Sequence, residues 1–134
     1  VQAGRTDRPL RVMVVDDTET ARIVICDHLE SKGHTVVEAD DGSECVELIR
    51  RGEHFDLVIC DLNMCHIDGL TMVKMLREFE QGTGKRLPVV LMTAFQIADG
   101  DDELESAGVN SVLIKPVKPD DIDRILTELF EPKV

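Results

Sequence analysis

Five short β-type runs, separated by stretches of helical periodicity, constrain this chain more than any other feature. Leu10–Val15, His34–Ala39, Leu57–Cys60, Pro88–Met92 and Val112–Ile114 read as strands. Most are nearly continuous apolar segments rather than alternating ones, as suits strands covered on both faces. Between the first two, Thr20–Lys32 carries Ala21, Val24, Ile25, Cys26 and Leu29 at helical spacing, and Gly33 stops it. Asp41-Gly42-Ser43-Glu44 reads as a capping box. It opens a helix that turns Cys45, Leu48 and Ile49 inward and ends near Gly52. Asp68-Gly69 opens a third helix, striped by Met72, Val73, Leu76 and Phe79. Gln96–Ala107 is a weaker helix, broken early by Gly100 and crowded with acid from Asp99 to Glu105. Pro119 stands where the last helix begins, and Ile122, Ile125, Leu126, Leu129 and Phe130 give it a clean stripe. The alternation predicts an α/β domain, (βα)5, with a parallel sheet and helices on both faces. At 134 residues the chain reads as one domain with a core of its own.

What the runs deliver at their ends points to chemistry. Asp16 and Asp17 follow the first run, Asp61 the third, Thr93 the fourth and Lys115 the fifth. On a parallel sheet these side chains meet at the carboxyl edge, where open α/β sheets bind ligands. Three converging carboxylates cannot all stay ionised cheaply without a cation. Mg²⁺, which takes hard oxygen ligands, suits such a cluster. A carboxylate also serves as a nucleophile toward phosphorus, giving an aspartyl phosphate. That step needs a metal and a cation against the charge, and a hydroxyl or amide for the phosphoryl oxygens. Asp16, Asp17, Asp61, Thr93 and Lys115 supply each part.

Composition narrows the partners. The net charge is −12, from 27 acidic and 15 basic residues, which repels nucleic acid and anionic membranes. No stretch approaches a membrane span, and residues 1–9 lack the apolar core of a secretory signal. They read as a flexible arm or an expression remnant. Cys26, Cys45, Cys60 and Cys65 form no CxxC pair and sit in or beside apolar runs, as buried thiols of a reducing cytoplasm do. Zinc held by Cys60, Cys65 and His66 lacks a second ligand pair.

The chain resembles response-regulator receiver domains of two-component signalling, of the chemotaxis-regulator type. The resemblance rests on Val14-Val15-Asp16-Asp17, Asp61-Leu62-Asn63-Met64 with Asp68-Gly69, Met92-Thr93-Ala94 and Lys115-Pro116. The intervals agree as well: 44 residues from Asp17 to Asp61, 32 from Asp61 to Thr93 and 22 from Thr93 to Lys115. It implies a flavodoxin-like (βα)5 sandwich with sheet order 2-1-3-4-5, a receiver domain over residues 10–131 and a tail at 132–134. It implies a phosphoacceptor at Asp61, fed by the phosphohistidine of a sensor histidine kinase or histidine phosphotransfer protein, with output to a downstream effector. It further implies Mg²⁺ on Asp17, Asp61 and the Asn63 carbonyl, with Asp16 acting through water. Thr93 and the Ala94 amide would hold phosphoryl oxygens, Lys115 would pair with Asp61 and then with the phosphoryl group, and Lys115-Pro116 would be cis.

Three departures stand out. Val112 occupies the place of the usual switch aromatic, Cys65 that of a proline, and Phe95 that of a polar residue. Two other functions compete. An aspartate-nucleophile phosphohydrolase would carry a second aspartate two residues after its nucleophile, where Asp61 has Asn63. A binding module indifferent to phosphorylation would not need the full acid, threonine and lysine set. Blander readings make Asp16-Asp17 a helix cap, Asp68-Gly69 a structural helix cap and turn, the 99–105 acidic run a solvated face, His28, His34 and His54 surface or helix-end residues, and His66 an exposed loop residue.

Overall fold

A computed structural model describes residues 9–62, 69–94 and 106–130. Its elements run β1 (Arg11–Val15), α1 (Glu19–Ser31), β2 (Thr35–Ala39), α2 (Gly42–Arg50) and β3 (Leu57–Asp61), then α3 (Gly69–Glu80), β4 (Val89–Thr93), β5 (Ser111–Ile114) and α4 (Pro119–Phe130). Ser106 and Ala107 are helical, at the end of the predicted Gln96–Ala107 helix. The rest of that helix lies outside the described residues. The five strands are all parallel and lie in the order β2-β1-β3-β4-β5, as expected.

Strand parity divides the core in two. Met13, Val15, Val58, Cys60, Val89 and Leu91 point to one face, where Cys45 and Val46 of α2 and Met72, Val73 and Leu76 of α3 cover them. Val12, Val14, Leu57, Ile59, Val90, Met92 and Leu113 point to the other, against Ile25, Cys26 and Leu29 of α1 and Ile122, Ile125 and Leu126 of α4. Full burial of each such aliphatic side chain stabilises by roughly 1.5–3 kcal/mol. Phe79 departs from the predicted stripe of α3: it is 45% exposed, so the buried face of that helix ends at Leu76.

Helix ends follow local chemistry. Gly33 adopts φ +91°, and the amides of Gly33 and His34 donate to the carbonyls of Glu30 and Leu29, closing α1 in a Schellman turn. Asp41 Oδ1 accepts from the Glu44 amide at 3.0 Å, the first half of the expected capping box. The second half is displaced by one residue, since Glu44 Oε2 accepts from the Asp40 amide at 3.3 Å rather than from that of Asp41. Before α4, Asp121 Oδ2 accepts from the Lys118 amide at 3.0 Å. Gly69 opens α3 under a different constraint: a Cβ there would lie 2.7 Å from the Asp61 carbonyl oxygen. His34, expected at the surface or a helix end, follows the turn that closes α1; it is half-buried and its Nδ1 accepts from the Leu10 amide at 2.9 Å. His28 Nε2 meets Asp123 Oδ1 at 2.8 Å, tying α1 to α4. Among the described residues no helix is long and apolar enough to cross a membrane.

Candidate functional site

The carboxyl edge of the sheet gathers the residues that the sequence places at strand ends. Asp16 follows β1 directly and is fully buried, while Asp17 beside it is exposed. Asp61 is the last residue of β3 and 5% exposed; Thr93 is the last of β4 and 1% exposed. Register explains why they meet: Val15 lies opposite Cys60, Asp61 opposite Met92, and Thr93 opposite Ile114, so each acidic or hydroxyl residue falls within one residue of the same level at the strand ends. Lys115 comes one residue past β5, its amide donating to the Thr93 carbonyl at 2.7 Å. The Lys115-Pro116 bond is cis, as expected.

Lys115 Nζ reaches both buried carboxylates. It donates to Asp61 Oδ2 at 2.7 Å and to Asp16 Oδ2 at 3.1 Å. Burial works against the ammonium, but hydrogen bonds and charge from Asp61 and Asp16 outweigh it and raise the lysine's pKa. The other oxygen of Asp16 accepts from the Thr18 amide at 2.8 Å, an Asx-type turn that leads into α1. The helix-cap reading of this acidic pair is corrected for Asp16: Thr18 is the N-cap of α1, and the Asp16 side chain, bonded to its amide, orders the turn before the helix while also facing Lys115.

Asp16, Asp17 and Asp61 each present a carboxylate oxygen, and the three lie within 4.8 Å of one another. Three carboxylates against one ammonium leave an excess of acid, and the donors are hard oxygens. This set fits a small divalent cation that retains part of its water shell. Of the sequence-derived candidates, Asp16, Asp17, Asp61 and Lys115 come together here, and Thr93 ends the neighbouring strand. Asn63, Cys65, His66, Asp68, Phe95 and the acidic run 99–105 lie outside the described residues. Val112, in the place of the aromatic, is half-buried, paired in register with Leu91 and packed on the α2–α3 face. Arg22 was not singled out from the sequence. Its guanidinium donates to the Asp16 carbonyl and pairs with Glu38 and Asp40, partners that only the fold brings to it.

A five-stranded parallel α/β domain with a cation-ready acidic triad and a lysine across it defines a class of phosphotransfer signalling modules. The chain belongs to the response regulator receiver domain family, whose model matches residues 12–127. It is 31% identical over 126 residues to the chemotaxis protein CheY-3 of Vibrio cholerae, a match covering 93% of this chain and 95% of that protein. The solved structure of CheY4 from Vibrio cholerae matches with a TM-score of 0.81 at 26% identity, over 92% of this chain and 100% of that one. The receiver domain of sensor histidine kinase PA1611 from Pseudomonas aeruginosa, solved with magnesium coordinated in its active-site cleft, matches with a TM-score of 0.76 at 26% identity, over 90% and 97% of the two chains. The chain is thus a CheY-like receiver of two-component signalling, a signalling module rather than a classical enzyme, and the phosphohydrolase alternative falls away.

Proposed function

We propose that Asp61 is the phosphoacceptor of this receiver, with Asp16, Asp17, Asp61 and the carbonyl of Asn63 holding Mg²⁺. The observation that carries the reading is Lys115 Nζ at 2.7 Å from Asp61 Oδ2, beside an acidic triad of suitable spacing. An Asp61 oxygen forms a bond to phosphorus as the nitrogen–phosphorus bond of a phosphohistidine breaks, and the imidazole leaves with the bonding pair. Bound Mg²⁺ would neutralise charge on the phosphoryl oxygens. Lys115 moves its hydrogen bond from the carboxylate to a phosphoryl oxygen, and the Thr93 hydroxyl donates to another. The new contacts bias a two-state equilibrium that a downstream effector reads.

The donor is a sensor histidine kinase or a histidine phosphotransfer protein. An apolar approach for the donor is available beside the site. Ile23 and Val24 of α1 are 48% and 47% exposed. An apolar hollow of about 340 Å³ lies between Val24, Ile25, Met92 and Pro116, with Lys115 on its wall. We assign the receiver unit to residues 10–131 and its place of work to the cytoplasm. The buried, disulfide-free thiols of Cys26, Cys45 and Cys60 support a reducing compartment.

Intact-mass measurement with a small phosphodonor and Mg²⁺ tests the reading. Wild type is expected to gain one phosphoryl group, and chelation of Mg²⁺ or Asp61→Asn to abolish the gain. Undiminished labelling of Asp61→Asn would refute the assignment. Partner affinity that ignores both the phosphoryl group and Asp61→Asn would favour the phosphorylation-independent module instead.

A further inference from the structure

Arg22 stands behind the acidic loop rather than in it. It lies one turn into α1, where its amide donates to the Thr18 carbonyl at 3.2 Å. Its side chain is only 12% exposed. Nη1 donates to the backbone carbonyl of Asp16 and pairs with Asp40 Oδ1 at 3.0 Å. Nε donates to Glu38 Oε1 at 3.1 Å. The Asp16 amide in turn donates to the Ala39 carbonyl at 3.2 Å. Both backbone groups of Asp16 are therefore tied to the end of β2, one directly and one through the guanidinium. The peptide joining Asp16 to Asp17 cannot turn without breaking the bond from Arg22 to its carbonyl, and the peptide before it is held by Ala39. Asp16 is held further through its side chain, by Thr18 and Lys115. Asp17 is exposed and its Oδ1 lies 3.5 Å from the Thr18 hydroxyl, and the backbone that this peptide sets aims its carboxylate.

We propose that Arg22 is a positioning residue for the cation site: it fixes the Asp16–Asp17 peptide so that the Asp17 carboxylate is in place before the ion arrives. The inference rests on the reading of Asp16, Asp17 and Asp61 as a Mg²⁺ site. Two effects of Arg22 oppose each other. As a bare positive charge it would repel a divalent cation. As a clamp it removes the cost of ordering a ligand. Glu38 and Asp40 compensate its charge locally, so the clamp dominates. The sign of the mutational effect separates the two. Lysine, a point charge on a flexible stem, cannot serve the carbonyl and both carboxylates as the planar fork does.

Mg²⁺ titrations, followed by calorimetry and by the amide resonances of residues 16–18, test this in wild type, Arg22→Ala, Arg22→Lys and Asp17→Asn. Outer partners of metal ligands typically contribute about 10–100-fold to metal affinity. Arg22→Ala is expected to bind Mg²⁺ about tenfold more weakly, at the low end of that range, and Arg22→Lys, which keeps part of the contacts, about threefold more weakly. The amides of Asp17 and Thr18 should shift in both variants before any metal is added. Affinity equal to or tighter than wild type in Arg22→Lys overturns the proposal, as does a lowered melting temperature with affinity intact. Should Arg22→Ala fail to fold, Arg22→Lys carries the test alone. Wild type that binds no Mg²⁺, with Asp17→Asn indistinguishable from it, would overturn the site reading itself and this inference with it.

Discussion

Lys115 is a single ammonium serving two buried carboxylates, and its removal should be felt beyond the chemistry. Lys115→Ala leaves Asp16 and Asp61 facing each other with no ammonium between them, so phosphoryl labelling should fall steeply while Mg²⁺ binding is retained or strengthened. Calorimetry alongside intact mass separates the two. His34 gives a residue-scale prediction about pH. Burial, and then the neighbouring His28, hold its pKa below the usual value, and its Nδ1 must stay unprotonated to accept from the Leu10 amide. A histidine with a lowered folded pKa contributes stability that is fully present above the unfolded value, about 6.5, and is lost as pH falls through the folded one. Urea midpoints should therefore drop below that pH, and less so in His34→Asn, which keeps an acceptor that does not titrate. An equal drop in both would assign the loss to other groups. The catalytic candidates were legible in the sequence because each sits at the end of an apolar run, where topology alone decides the neighbours. Arg22 and His34 were not, because the side-chain partners of Arg22 and the Leu10 amide that His34 meets are 16 to 24 positions away, on elements whose packing no local pattern encodes.

Elements were read best where caps and parity both spoke. Strand positions came through to within a residue because continuous apolar runs have one way to be buried on two faces. Phe79 was misread because helical spacing says which side a residue faces, not whether the neighbouring layer extends that far. Two substitutions test the element ends. Asp41→Ala removes the side-chain acceptor at the start of α2 and should cost about 1 kcal/mol in denaturant unfolding. Gly69→Ala sets two effects against each other. Alanine in a helix gains about 1 kcal/mol over glycine. The new methyl group, however, would lie 2.7 Å from the Asp61 carbonyl and 3.0 Å from Leu62 Cα, both backbone atoms. Overpacking of that kind costs about 1–3 kcal/mol, so the net change should be a loss. It should also slow phosphorylation, because the strain falls on Asp61, the proposed phosphoacceptor. A more stable Gly69→Ala would mean that this contact yields freely.

At the scale of the molecule, the fold holds a repulsive cluster at one edge and supports it with a core that strand parity splits in two. Asp17→Asn removes one of three like charges, so the metal-free protein should become more stable. The same substitution should erase the gain that Mg²⁺ confers on wild type, about 2.7 kcal/mol at a hundredfold excess over the dissociation constant. Thermal melts with and without Mg²⁺ read both changes together, and a metal-dependent gain that survives Asp17→Asn would exclude it as a ligand. The sharing of Lys115 between Asp16 and Asp61 has one more consequence. A phosphoryl group that engages the lysine draws it from Asp16, whose charge then calls for the cation more strongly. On the proposed assignment of Asp61 and Mg²⁺, metal and phosphoryl group are thereby cooperative ligands of one another. Reciprocity requires that whatever factor the metal lends to retention of the phosphoryl group, the phosphoryl group returns to the metal.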